Sequence, residues 1–217
     1  MGWVESVNVG AARPIRAKSG TTGIDKVPVT GRVQVSAPGP KGSGGSGLEG
    51  DAICDVVHHG GDDQAIYAFA REDLDWWEEQ LASTLRSGVF GENLTTNGMD
   101  VTEARLGDTW SVGSDVVLQV TGPRIPCSTF AVWMGRKGWL RSFTRRARPG
   151  AYLRVLSAGS VEAVAPVTIT SRPDHDVTIG ITFRALTAEP NLLPVLLGAA
   201  DYLDAELIEW VETKTSH

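Results

Sequence analysis

The chain has 217 residues, 41% hydrophobic and 21% charged, ordinary for a soluble globular protein and enough for one sizeable core or one core with a small appendage. A formal charge of −6 and an isoelectric point near 5.2 argue against nucleic acid as the main partner. No run approaches the roughly 20 apolar residues of a membrane span, no secretory leader is expected around Glu5, and the match of Met1-Gly2…Ser6 to a myristoylation pattern is read as chance.

Taken in order, Val27, Val29, Val33 and Val35 alternate around Thr30-Gly31, which predicts a half-buried hairpin. The glycine- and serine-rich residues 39–47 predict a flexible loop, without the lysine-serine ending of a phosphate-binding P-loop. Val57-His58-His59-Gly60-Gly61 follows a predicted strand, where adjacent histidines point to opposite faces, so at most one reaches a given pocket. The glycine pair admits close approach of a backbone or a ligand. With His175 in a predicted surface loop and His217 terminal, a histidine-rich metal site is not expected.

Leu74, Trp77, Leu81 and Leu85 recur at helical spacing and predict a helix over residues 71–85, with Trp76 and Trp77 as packing residues. In Phe90-Gly91-Glu92-Asn93-Leu94-Thr95, Asn93 is a candidate to hydrogen-bond a ligand and Glu92 to orient a histidine or arginine. Equally, both can satisfy the turn that follows. Asn97-Gly98 is a hairpin turn signal, and Gly107-Asp108 and Gly113-Ser114 add turns before a strand at residues 116–120. Further strands are expected at 152–156 and 161–170, and short strands this closely spaced point to a barrel or closed sandwich. Residues 177–183 are rich in β-branched side chains and ambiguous. A helical appendage is expected from about residue 177, on a stripe of Leu196, Ala200, Leu203, Leu207 and Val211.

The run Gly122-Pro123-Arg124-Ile125-Pro126-Cys127-Ser128 carries the chemistry that matters most. Two prolines fix φ and should hold the thiol in place. Arg124 favours thiolate over thiol and attracts anions. A lone cysteine is otherwise read as a small buried hydrophobe. Cys54 is the other of only two cysteines, too few for a disulfide framework or a multi-cysteine metal site, which fits a reducing cytoplasm. On this acidic chain Arg136, Lys137, Arg141, Arg145, Arg146 and Arg148 fall within thirteen residues and form a basic patch.

Seven segments in register resemble the MOSC family, named for the molybdenum cofactor sulfurase C-terminal domain, and within it the stand-alone bacterial members of the YiiM type. They are Gly47-Leu48-Glu49-Gly50-Asp51, Val57…His59-Gly60-Gly61, Ala70-Arg71-Glu72, Gly91-Glu92-Asn93-Leu94, Leu106-Gly107-Asp108, Pro123-Arg124…Pro126-Cys127 and Lys137-Gly138-Trp139-Leu140, and the match runs from about residue 5 to 186. The resemblance implies a mainly β fold: a MOSC-type β-barrel over residues 1–176 with a few peripheral helices, and a small C-terminal helical part over 177–217. It implies a molybdenum-dependent oxidoreductase that binds molybdenum cofactor (Mo-molybdopterin) and reduces N-hydroxylated small molecules with electrons from a separate donor protein. Cys127 would be catalytic and the metal ligand; His59 and Asn93 would line the substrate side. Arg124, Lys137, Arg141, Gly60, Gly61 and Glu92 would bind the cofactor, the cations holding its phosphate. The alternatives are sulfur transfer through a Cys127 persulfide, which needs no metal, and a non-catalytic cofactor carrier. Either way the partners expected are a small molecule, with no nucleic acid or membrane, for a monomer or homodimer.

Two positions depart from the family pattern. Asp62-Asp63-Gln64-Ala65 stands where Pro-Asp-Arg-Ala is usual, which lowers positive charge near the site, and Arg145, Arg146 and Arg148 are candidates to compensate from another loop. The histidine is doubled, and the family role goes to His59 because it directly precedes Gly60.

Overall fold

The computed structural model describes residues 2–215, so Met1 of the myristoylation-like pattern and His217 lie outside the described residues. The strands are β1 (Gly2–Gly10), β2 (Arg13–Pro14), β3 (Thr21–Thr22), β4 (Lys26–Pro28), β5 (Val33–Val35), β6 (Ile66–Ala70), β7 (Leu94–Asn97), β8 (Thr109–Val112), β9 (Val116–Pro123), β10 (Ala151–Ser157), β11 (Gly159–Val161) and β12 (Pro166–Ser171). The helices are α1 (Arg71–Leu81), α2 (Ser128–Met134), α3 (Trp139–Arg146), α4 (Ile179–Thr187), α5 (Leu193–Leu196) and α6 (Ala205–Thr215). Among the described residues, seven strands in the order β12-β8-β9-β10-β6-β7-β1 close on themselves through the β1–β12 pairing, as expected of a β-barrel. Closure leaves no free edge in the ring.

Strand alternation builds two cores from one wall. Ile66, Ala68 and Ala70 of β6 and Ala151, Leu153 and Val155 of β10 join the barrel interior. The intervening Tyr67, Phe69 and Tyr152 face outward into a second cluster with Trp77, Phe90, Phe130, Trp139 and Phe143. All five residues of β6 are therefore buried. Its pairing with β7 is parallel, with α1 in the connection, the one crossover of this kind in an otherwise antiparallel ring. The aromatic layer is dense: Phe90 lies edge-on to Phe69, Phe130, Trp139 and Phe143 at centroid distances of 5.2 to 6.0 Å. It fixes α1, α2 and α3 to the outside of the barrel.

Several local expectations change in this context. The valine alternation does not set the buried face of β4, where Lys26 is buried and Val27 exposed; β4 pairs with β1 and β5 with β11, so Thr30-Gly31 does not close a hairpin. Asn97-Gly98 turns the chain out of β7, whose partners are β1 and β6. The helix expected over 71–85 stops at Leu81 because Ala82 turns left-handed at φ 48°, and the Glu78 carboxylate accepts the Leu85 amide at 2.8 Å. The segment expected at 161–170 divides into β11 and β12. Residues 179–187 are helical despite their β-branched content: the extended N-cap Thr178 accepts the Ile181 amide at Oγ1 at 3.2 Å, and Gly180 packs on Thr102. The C-terminal stripe is broken into α5, a 3-10 turn and α6, and Val177, Ile179, Leu193, Leu196 and Val211 share the apolar cluster of the barrel.

Candidate active site

The register of three strands places the site. Tyr152 on β10 pairs with Tyr67 on β6 and with Gly122 on β9, so the loop leaving β9 begins beside two outward-facing tyrosines. That loop carries Arg124 and ends at Cys127, the N-cap residue of α2. The Arg124 guanidinium lies 3.8 Å from the Phe130 ring centroid and 5.4 Å from that of Tyr67, an aromatic seat that lets a cation remain only 6% exposed. Tyr67 Oη donates to the Pro149 carbonyl at 2.7 Å.

These groups open on a cleft of about 710 Å³ whose walls also include His59, Gln64, Asn93, Lys26 and Cys54. Burial pushes the Cys127 thiol up, but a hydrogen bond from His59, the Arg124 charge and the Phe130 amide outweigh it and bring the thiol down to about 7. His58 and His59 lie in a turn, not on a strand: His58 pairs with Asp55 at the surface, 3.0 Å away, and His59 alone faces the cleft.

The floor is a buried ion pair that the sequence did not disclose. Lys26 Nζ contacts Asp51 Oδ1, with the two side chains 4% and 0% exposed. Asp51 also accepts from the Gly10 amide at 2.8 Å and from Asn93 Nδ2 at 2.8 Å. Burial pushes the Lys26 ammonium down, while Asp51 pulls it up. Asn93 Oδ1 accepts from the Tyr67 amide at 3.1 Å, so the Asn93 amide is engaged within the protein and acts as a strut, not as a free ligand-binding group. Lys26 was hidden because it reads as one polar position in an alternating strand, and Tyr67 and Tyr152 because outward-facing tyrosines look like ordinary strand residues.

Other expected cofactor-binding residues are elsewhere. The fully buried Glu92 accepts from the Gly88 and Phe90 amides and the Thr95 hydroxyl, which is the turn-satisfying role. Lys137 lines a separate groove, and Arg141 is exposed on α3 outside the cleft walls. Arg145 joins Lys137 in that groove, while Arg146 and Arg148 pair with Asp73, so none of the three replaces the missing family arginine at the cleft. The extra acids are turned away as well: Asp62 accepts the Gly39 amide at 2.9 Å and Asp63 pairs with Arg154.

The glycine pair receives a backbone on its Cα side, and Gly60 also lines the cleft. Both residues have φ of 78°; a Cβ on Gly60 would lie 2.7 Å from the Gly45 carbonyl oxygen, and one on Gly61 2.6 Å from the Lys41 amide nitrogen. The 39–47 segment is thereby clamped against the cleft loop, with Gly61 N donating to Gly45 O at 3.0 Å. Gly61→Ala is expected to cost about 2–3 kcal/mol, combining left-handed strain with displaced backbone, readable as a lower urea midpoint at unchanged slope.

Residues 55–168 match the family profile described as the MOSC domain. The chain belongs to the MOSC domain family. It is 32% identical over 183 residues to the uncharacterized protein YflK of Bacillus subtilis, covering 83% of this chain and 79% of that one. It is 33% identical over 148 residues to protein YiiM of Escherichia coli, covering 61% and 60%. A protein named reductase from Gibberella moniliformis is 30% identical over 141 residues, 62% of this MOSC chain but 24% of that longer protein. The crystal structure of YiiM from Geobacillus stearothermophilus superposes with a TM-score of 0.78 at 27% identity, covering 99% of both chains.

The cleft of this MOSC protein suits the cofactor for which the family is named. Arg124 Nη1 and Gln64 Oε1 are both buried without a hydrogen-bond partner among the described residues, one donor and one acceptor in a single cleft. A pterin with an anionic tail presents complementary groups of both kinds, and the Cys127 thiolate is a soft ligand of the type molybdenum takes. Among the described residues no group of three or more His, Cys, Asp or Glu could hold a metal by itself, so a metal at Cys127 would have to arrive with further ligands of its own. No described helix is long and apolar enough to cross a membrane.

Proposed function

We propose that this protein binds molybdenum cofactor in the Cys127 cleft and reduces N-hydroxylated small molecules, in a reducing cytoplasm, with electrons from a separate reduced redox protein. The observation that carries the reading is the Cys127 thiol opening with His59 on the same cleft as a buried guanidinium whose Nη1 has no partner among the described residues. The relative named reductase supports the reaction class. Reduction of R₂N–OH to R₂NH and water takes two electrons and two protons. The bound cofactor would supply the two-electron redox change.

The residues supply the rest. Cys127 Sγ, whose thiolate His59 and Arg124 favour, would hold the metal, and Arg124 Nη1 would hold an anionic oxygen. His59 sits at the thiol and would deliver one proton from its ring nitrogen to the departing hydroxyl, the second reaching the substrate nitrogen from solvent in the cleft. Gln64 Oε1, buried without a partner among the described residues, would accept a hydrogen bond from the bound group. The Lys26–Asp51–Asn93 chain keeps β6 and the cleft floor in place.

Molybdenum and pterin analysis of wild type beside Cys127→Ala, both made in a cofactor-competent host, tests the proposal. Stoichiometric molybdenum in the wild type, none in the variant, and N-hydroxyl reduction only by the loaded protein are expected. No metal in either would overturn it. A gain of one sulfur atom on Cys127 after incubation with a persulfide donor would then favour the sulfur-transfer reading. In that chemistry the thiolate attacks the outer sulfur, the donor S–S bond breaks, and the donor leaves as its thiol. Tight cofactor binding without turnover would make the protein a carrier.

A further inference from the structure

A second concavity of about 1200 Å³ runs between α1 and α3 and shares no lining residue with the Cys127 cleft. Trp76, Trp77 and Trp139 form its aromatic wall, and Arg136, Lys137 and Arg145 stand exposed along it. None of the three cations has a carboxylate partner among the described residues, and no Asp or Glu lines the groove. Arg146, also in the lining, sits over the Trp76 ring at 4.0 Å and is tied to Asp73.

The donors recessed there are left over. Trp77 Nε1, Trp139 Nε1 and Arg146 Nε are buried with no acceptor among the described residues, and the two tryptophans are 3% and 2% exposed. Buried N–H groups are ordinarily paired, and leaving one unpaired is costly. Three unsatisfied donors and three unpaired cations, with no acidic side chain in the lining, call for the same complement: an acceptor-rich anion.

We propose that the α1–α3 groove is a second ligand site, for a small polyanion bearing phosphate or carboxylate groups. The cations bind its charged oxygens at the rim, and the indole and guanidinium N–H groups meet acceptors at the base. On a protein of net charge −6 such a site gathers anions against the overall charge of the chain.

Because three tryptophans line the groove, their fluorescence reports occupancy directly. The full-length protein is titrated with inorganic pyrophosphate and, separately, with citrate, each against sodium chloride of equal ionic strength. A saturable emission change with either probe, beyond that of chloride, is expected, and the probe that saturates at lower concentration identifies phosphate or carboxylate as the preferred group. In Lys137→Gln/Arg145→Gln, whose substituted side chains are exposed, the dissociation constant should rise roughly tenfold or more with the circular dichroism spectrum unchanged. Cys127→Ala should bind both probes as wild type does. No change beyond chloride with either probe, equal affinity in the double variant, or loss of the signal in Cys127→Ala would overturn the proposal.

Discussion

Replacing Lys26 with methionine is expected to destabilise the protein by about 3–5 kcal/mol, the usual cost of stranding one member of a buried ion pair. Asp51 would keep its bonds from the Gly10 amide and from Asn93 Nδ2 but lose the only cation in contact with it among the described residues. The strain would pass through Asn93, which accepts the Tyr67 amide and so ties the pair to β6. Chemical denaturation monitored by circular dichroism reads the loss. Lys26→Met/Asp51→Asn should be less destabilised than Lys26→Met alone, since no bare carboxylate remains, and the double-mutant cycle measures the coupling. Equal stability of Lys26→Met and wild type would show that the pair contributes nothing to the fold.

The second large effect is on reactivity. Alkylation of Cys127 by iodoacetamide, followed by peptide mass spectrometry to separate it from Cys54, should rise through a midpoint near pH 7 and level off above it. The sign follows from the nucleophile: only thiolate reacts, so below the midpoint the rate falls about tenfold for each pH unit. His59→Gln removes a hydrogen bond to the sulfur and Arg124→Gln removes a buried charge, and each moves the midpoint upward. At pH 7 either change should slow alkylation on the order of tenfold, the drop in thiolate fraction on returning toward an ordinary thiol pKa of about 8.5. A wild-type midpoint at that ordinary value would remove the electrostatic basis of the proposed site. His59→Gln is the safer variant, because Arg124 is also packed between rings.

Much of the candidate site was legible because its information is local. A cysteine after two prolines and an arginine reads as a held, activated thiol whatever surrounds it, and the structure places Arg124 and Cys127 on one cleft. His59 was assigned to the site from its position before Gly60, although on the wrong backbone: it lies in a turn, and no strand alternation separates it from His58. Gly60 and Gly61 were recognised as points of close approach, but which chain approaches depends on how the 39–47 loop folds back.

By itself the sequence determined what is set at short range: the closely spaced short strands, the start of α1, the proline-bounded cysteine loop, and the seven segments that mark the family. The tertiary structure alone decided which strands pair, because pairing depends on partners far apart in the chain, and this moved β4 and β5 to β1 and β11. It also decided the roles of charged residues. Lys26 and Asp51 lie 25 residues apart and became the floor of the cleft, whereas Lys137 and Arg145 went to another groove. A charge acts through the few ångströms around it, and only the folded chain sets what those ångströms contain.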